Sequence, residues 1–161
     1  MTFNADEVFE MAEQMERNGA AFYRAAAETA GDSTSRERLL GFAAMEEEHE
    51  RTFASIRTEV AAGGPRESTF DPDGEAAMYL RAMVAGKVFD WKSDAAGLLA
   101  GTESLADIYW IAIGLEKDSI AFYTGVKEMI PEHQGKDKID IIIREEMGHI
   151  NTLTNALDAL E

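Results

Sequence analysis

Two stretches of the chain carry an apolar seam with alternating three- and four-residue spacing. Each seam is interrupted at its centre by one glutamate and one histidine. The first seam reads Leu39, Phe42, Glu46, His49, Phe53, Ile56 and Val60. The second reads Ile139, Ile142, Glu146, His149, Leu153, Ala156 and Leu160. This spacing predicts a helix face buried in a bundle core, and a separation of three places each glutamate beside its histidine.

The two halves of the chain repeat each other at an offset of 100 residues without a gap. The segment "MERNGAAFY", which begins at Met15, lies over "LEKDSIAFY", which begins at Leu115. A repeated helical hairpin predicts a four-helix bundle with approximate two-fold symmetry.

The helix-breaking glycines and prolines, together with the periodicity of the apolar residues, divide the chain into two hairpins, at about 4–62 and about 102–160. A long crossover at about 63–101 joins them. Thr34 and Glu37 are spaced as a capping box for the second helix. A short helix is expected inside the crossover, with Asp73 as its N-cap. No segment has a convincing strand pattern, so the predicted fold is all-α, with residues 1–161 forming a single domain.

Glu16 on the first helix and Glu116 on the third also lie on faces that are otherwise apolar. Glu16 lies about 16 residues before the first hairpin turn and Glu46 about 14 after it, so both lie roughly 20 Å from the turn at 1.5 Å per residue. The second hairpin has the same arrangement. Six ionisable residues are therefore expected at one level of the core: Glu16, Glu46, His49, Glu116, Glu146 and His149.

Four buried carboxylates require compensation, because each unpaired one costs several kcal/mol and they repel one another. No lysine or arginine shares the seams. Two divalent cations would balance the four charges, and this oxygen-rich set with two imidazoles suits iron or manganese, with zinc possible. The chain has no cysteine, which excludes disulfides, thiolate-bound zinc and cysteine-ligated iron–sulfur clusters.

The segments "MERNGAAFY", "MEEEHE", "LEKDSIAFY" and "EEMGH" resemble the rubrerythrin-like di-iron proteins of the ferritin-like superfamily. The resemblance covers the four long helices. It implies two terminal ligands, Glu16 and Glu116, two bridging ligands, Glu46 and Glu146, and one histidine for each metal, His49 and His149. It also implies two iron ions, peroxidase activity and a homodimer.

The chain departs from the rubrerythrin pattern in two ways. It lacks the cysteines of a rubredoxin domain, so electrons would have to come from an external donor that is either rubredoxin-like or a flavoprotein. A further glutamate that is often found one turn after the third-helix ligand is replaced by Ser119, and the equivalent position in the first hairpin is Gly19.

Three neighbouring residues are secondary candidates. Glu13, one turn before Glu16, is a possible extra ligand; the alternative places it at the seam boundary beside Arg17. Tyr23 and Tyr123 are expected in the core, where a hydroxyl needs a hydrogen-bond partner, and a ligand carboxylate would provide one. Four other glutamates are predicted to face solvent: Glu47, Glu48, Glu50 and Glu145.

The leading functional hypothesis is reduction of hydrogen peroxide or dioxygen at a di-metal site. The alternatives are ferrous iron oxidation for iron handling and a non-catalytic metal-binding bundle. A formal net charge of −16 argues against nucleic acid and anionic lipid as partners. The sequence contains no membrane-spanning apolar stretch, and its polar start does not resemble a secretory signal, so a cytoplasmic location is expected.

Overall fold

A computed structural model describes residues 5–62, 71, 73–84, 95–130 and 135–160. The helices are α1 (Ala5–Thr29), α2 (Ser33–Ala62), α3 (Glu75–Val84), α4 (Leu105–Glu128) and α5 (Lys136–Asp158), with one 3-10 turn at Ala95–Leu98. The described residues contain no strand. The all-α prediction is therefore confirmed, and the long helices pair as two hairpins, α1 with α2 and α4 with α5.

The four long helices begin and end within a few residues of the predicted positions. The largest difference is at the start of α4, which begins at Leu105 because Ser104 caps it. The Ser104 hydroxyl accepts from the backbone N–H of Asp107, whose side chain accepts from the backbone N–H of Ser104. The sequence analysis missed this capping box. About half of the predicted crossover, namely 63–70, 72 and 85–94, lies outside the described residues.

The predicted cap of α2 was wrong. Thr34 lies inside α2, which begins one residue earlier, at Ser33. The carboxylate of Asp32 accepts from the backbone N–H of Ser35 at 2.8 Å and so occupies the capping position. Asp32 lies one residue before the helix, and from there its carboxylate reaches an amide of the first turn.

The prediction of Asp73 as the N-cap of α3 was also wrong, although the capping residue lies close to it in the sequence. Asp71, rather than Asp73, accepts from the backbone N–H groups of Ala76 and Ala77, at 3.3 and 2.9 Å. Gly74 adopts a φ of 73° just before α3 begins, and this left-handed turn carries the chain from Asp71 back over the helix terminus.

The apolar core forms two clusters along the bundle, one on each side of the level of Glu16 and Glu146. One cluster combines the start of α1, the end of α2, the end of α4 and the start of α5, and includes Phe9, Phe53 and Ile142. The other combines the opposite ends of the same helices and includes Phe22, Leu39 and Leu153. The two clusters enclose the level at which the sequence predicts charged residues.

Helix α3 packs against the outside of α4. The Tyr79 hydroxyl donates to the Ala121 carbonyl at 2.8 Å. Gly125 permits the close approach, since a Cβ there would lie only 2.6 Å from a ring carbon of Tyr79 and 2.8 Å from Leu80. None of the described helices is long and apolar enough to span a bilayer.

Candidate metal centre

The structure brings the six predicted residues together in the middle of the bundle. Each of the four long helices contributes at least one of them, and none of the six residues is more than 4 % exposed. The residues form two overlapping groups, one of Glu16, Glu46, His49 and Glu146, the other of Glu46, Glu116, Glu146 and His149. Within each group, the candidate ligand atoms all lie within 4.8 Å of one another. Two glutamates, Glu46 and Glu146, belong to both groups, as bridging ligands would.

The ring of His49 turns its Nδ1 atom toward the first group. This nitrogen lies 3.1 Å from Glu146 Oε1, 3.6 Å from Glu16 Oε2 and 3.7 Å from Glu46 Oε2. One imidazole nitrogen and oxygens from three carboxylates therefore converge on one small volume.

His149 repeats this arrangement in the second group. Its Nδ1 lies 2.9 Å from Glu146 Oε2, 3.3 Å from Glu116 Oε1 and 3.5 Å from Glu46 Oε1. The two imidazole rings stack at 5.9 Å between centroids, with an interplanar angle of 21°. The two groups are therefore adjacent and related by the approximate symmetry of the repeat.

Several of the converging atoms have no hydrogen-bond partner among the described residues. They are Glu46 Oε1, His49 Nδ1, both carboxylate oxygens of Glu146 and both ring nitrogens of His149. A buried polar atom without a partner costs about 1–3 kcal/mol, so such a concentration is rare in a folded core. Among the salt bridges of the described residues, none joins a lysine or arginine to the six residues. Divalent cations that accept oxygen and imidazole ligands fit this donor set, iron, manganese and zinc among them.

The two buried tyrosines cross between the hairpins. The Tyr23 hydroxyl donates to Glu116 Oε1, and the Tyr123 hydroxyl donates to Glu16 Oε1. Each tyrosine therefore orients the glutamate of the opposite hairpin rather than the one on its own helix. In Glu16 the tyrosine bonds Oε1, and Oε2 faces His49, whereas in Glu116 the same Oε1 both accepts from Tyr23 and lies 3.3 Å from Nδ1 of His149.

Glu13 lies outside both groups. Its carboxylate pairs with Arg57 at 3.3 Å and with Arg17 at 3.8 Å. These guanidinium groups provide the charge compensation that a metal would otherwise supply. The structure therefore places Glu13 in an ion-pair network at the edge of the core, which corresponds to the alternative reading of this residue.

Glu145 makes a contact that was not predicted from the sequence. Its side chain is 45 % exposed, as predicted, but its Oε2 atom lies 2.9 Å from Nε2 of His49. The contact joins α5 to α2. A sequence pattern gives the facing direction of a side chain within its own helix, but it does not give the offset between two helices, so this partner was missed.

Gly19 has a spatial role beside the cluster. A Cβ atom at this position would lie 3.4 Å from Cγ and 3.5 Å from Cδ of Glu46, which is ordinary van der Waals contact, so an alanine would fit there. A larger side chain at position 19 would compete with Glu46 for the space. Ser119, the equivalent residue on α4, is half-buried and supplies no carboxylate.

No protein-family model matches the sequence, and a search of curated proteins found no match. Among solved structures, the chain is similar to a protein from Thermotoga maritima whose description as a ferritin-like diiron-carboxylate protein is itself provisional. The TM-score is 0.71 at 18 % sequence identity, and the match covers 100 % of this chain and 99 % of the other. The fold is ferritin-like. The buried Glu/His cluster occupies the centre of this ferritin-like bundle and fits a di-metal carboxylate protein.

Burial strongly perturbs the ionisation of the cluster. It raises the pKa values of Glu16 and Glu46, and it raises the pKa of Glu116 from 4.5 to about 7, although the neighbouring histidines oppose the shift. Burial alone would lower the pKa of His149, but the carboxylates of Glu116 and Glu146 outweigh it and raise that pKa from 6.5 to about 10. Without a cation, the ferritin-like core therefore holds protons.

These shifts predict how the stability of the metal-free protein depends on pH. A group whose pKa is raised on folding stabilises the folded state fully below its unfolded pKa and loses that contribution as pH rises through its folded pKa. For Glu116 this window runs from 4.5 to about 7, and for His149 from 6.5 to about 10. The free energy of unfolding should therefore fall steadily between about pH 5 and pH 9.

Thermal unfolding in the presence of a chelator, measured across this pH range, tests the prediction. The same scans with saturating zinc serve as the control, because metal binding requires deprotonated ligands and should reverse the trend. A metal-free melting temperature that rises with pH would contradict the buried, proton-binding cluster.

Proposed function

We propose that this protein is a non-haem di-metal carboxylate oxidoreductase that reduces hydrogen peroxide or dioxygen with electrons from an external donor. The observation that carries the proposal is the pair of overlapping ligand sets, which share Glu46 and Glu146. Because the cluster lacks a lysine or arginine partner among the described residues, its charge is balanced best by two cations.

The chain's own residues would hold and insulate the metal pair. Glu16 and His49 would complete one metal position, and Glu116 and His149 the other. The tyrosine hydroxyls fix the orientation of the terminal carboxylates, and the two apolar clusters separate the site from bulk water. When bound, a pair of iron ions would supply two electrons to the oxidant in one encounter.

Iron is the proposed metal because its two accessible oxidation states suit this ligand set, and because the similar solved structure carries a diiron-carboxylate description. An external donor is required, since the chain has no cysteine with which to bind a rubredoxin-type iron. A rubredoxin-like protein or a flavoprotein has the appropriate chemistry. We further propose a rubrerythrin-like cytoplasmic homodimer.

The experiment is an anaerobic titration. Protein loaded with two ferrous ions per chain is mixed with hydrogen peroxide, and ferric absorption is followed in the ultraviolet. Reduction of one peroxide to two waters consumes two electrons and two protons, so one equivalent of peroxide should oxidise both ferrous ions. Re-reduction by a reduced rubredoxin or flavoprotein should then permit further peroxide consumption.

Ferrous ion at the same concentration without protein is the control for uncatalysed oxidation. Oxidation at the uncatalysed rate would contradict the proposed activity. Accumulation of ferric iron far beyond two ions per chain, in an assembly of many subunits by sedimentation, would instead indicate iron storage.

A further inference from the structure

The outward-facing nitrogens of the two cluster histidines have different environments. Nε2 of His49 lies 2.9 Å from the Glu145 carboxylate. Nε2 of His149 is buried and has no hydrogen-bond partner among the described residues. Approximate symmetry relates the two ligand groups, but the contacts of the two outward-facing Nε2 atoms do not follow it.

The repeat explains the difference. Glu145 precedes Glu146 as Met45 precedes Glu46, so the carboxylate behind His49 has a methionine as its counterpart. Met45 and His149 line one surface groove, His49 lines another, and Glu145 borders both.

Methionine cannot replace the carboxylate, because its thioether is only a weak acceptor. The ring of His149 is instead held by packing. Phe42 approaches it edge-on, with centroids 4.9 Å apart.

A hydrogen bond to the outer nitrogen changes how strongly a histidine binds metal. When Nδ1 faces a cation, Nε2 carries the proton and donates it to any available acceptor. A carboxylate acceptor fixes the ring orientation and tautomer and makes the imidazole a stronger ligand; loss of such a partner usually costs 10–100-fold in metal affinity. His49 has this support and His149 does not.

We propose that Glu145 is a positioning residue that makes the two metal positions unequal. The ion held by Glu16 and His49 binds about tenfold more tightly than the ion held by Glu116 and His149, which is the exchangeable one. The lower end of the usual range applies because the Glu145 side chain is 45 % exposed. This inference rests on the proposed di-metal site, but not on any particular reaction.

One equivalent of cobalt per chain tests directly whether the two metal positions differ in affinity. Crystals of the metal-free protein are grown with one equivalent of Co²⁺ per chain, and anomalous scattering gives the occupancy beside each histidine. The position beside His49 should hold most of the cobalt. Equal occupancy, or more cobalt beside His149, would overturn the inference while leaving the di-metal site intact. Absence of cobalt from both positions would overturn the inference and the proposed function together.

Exchange of Met45 and Glu145 provides the decisive variant. Both side chains are exposed, Met45 at 39 % and Glu145 at 45 %, so substitution leaves the core packing unchanged. Calorimetric titration with Co²⁺ should show two affinities in the unaltered protein and nearly equal affinities in Glu145→Met. In the double variant Met45→Glu/Glu145→Met, cobalt should move to the position beside His149. A general structural effect would weaken both positions and would not reverse their order, so failure to reverse would overturn the role of Glu145.

Discussion

Glutamine in place of Glu146 should abolish binding of the metal pair. Glu146 is completely buried, and its two oxygens face His49 Nδ1 at 3.1 Å and His149 Nδ1 at 2.9 Å. An amide has the same size but no negative charge, so it is a poor ligand at both positions.

Metal analysis measures this loss. After incubation with ferrous ion or zinc and removal of the excess, the unaltered protein should retain two ions per chain and Glu146→Gln fewer than one. Glu48→Gln is the matched control, since this α2 glutamate is 69 % exposed and its carboxylate pairs, among the residues that the structure describes, with Arg51 alone. Retention of two ions by Glu146→Gln would contradict the bridging role.

The second large effect is on stability when metal is removed. A ligand present at a thousand times its dissociation constant stabilises the folded state by about 4 kcal/mol per site, hence about 8 kcal/mol for two sites. For a domain of this size, each kcal/mol corresponds to roughly 2–4 °C, so chelation should lower the melting temperature by on the order of 20 °C.

Differential scanning calorimetry with and without chelator checks this value. The comparison requires the Glu146→Gln variant as control, in which chelator should have little effect because few ions are bound. Unchanged melting of the unaltered protein after complete removal of metal would show that the cluster does not depend on cations.

The feature that could be predicted best from sequence was the position along the bundle at which ionisable residues lie in the core. The spacing within each seam fixed the faces of Glu46 and His49, and the distance from the turn placed Glu16 opposite them. The repeat then extended the same arrangement to α4 and α5. These inferences depend only on helix geometry, which is regular, so the helices lie close to the predicted bounds.

Contacts that depend on the offset between helices could not be predicted. The tyrosines were expected to bond a carboxylate, but the crossing of Tyr23 to Glu116 depends on how α1 packs against α4. The contact of Glu145 with His49 depends in the same way on the offset of α5 against α2. The wrong helix caps have a different origin, because short polar side chains near a helix start, such as Asp32 and Thr34 or Asp71 and Asp73, compete for the same backbone amides.

The crossed tyrosines have a consequence for how such a chain can evolve. Each terminal glutamate is held by the opposite hairpin, so neither half is complete without the other. If two identical hairpins associated as separate polypeptides, every mutation would appear twice and the halves would stay the same. Tandem fusion within one gene removes that constraint, and the methionine at 45 opposite the glutamate at 145 is a divergence that a homodimer of identical hairpins could not accumulate.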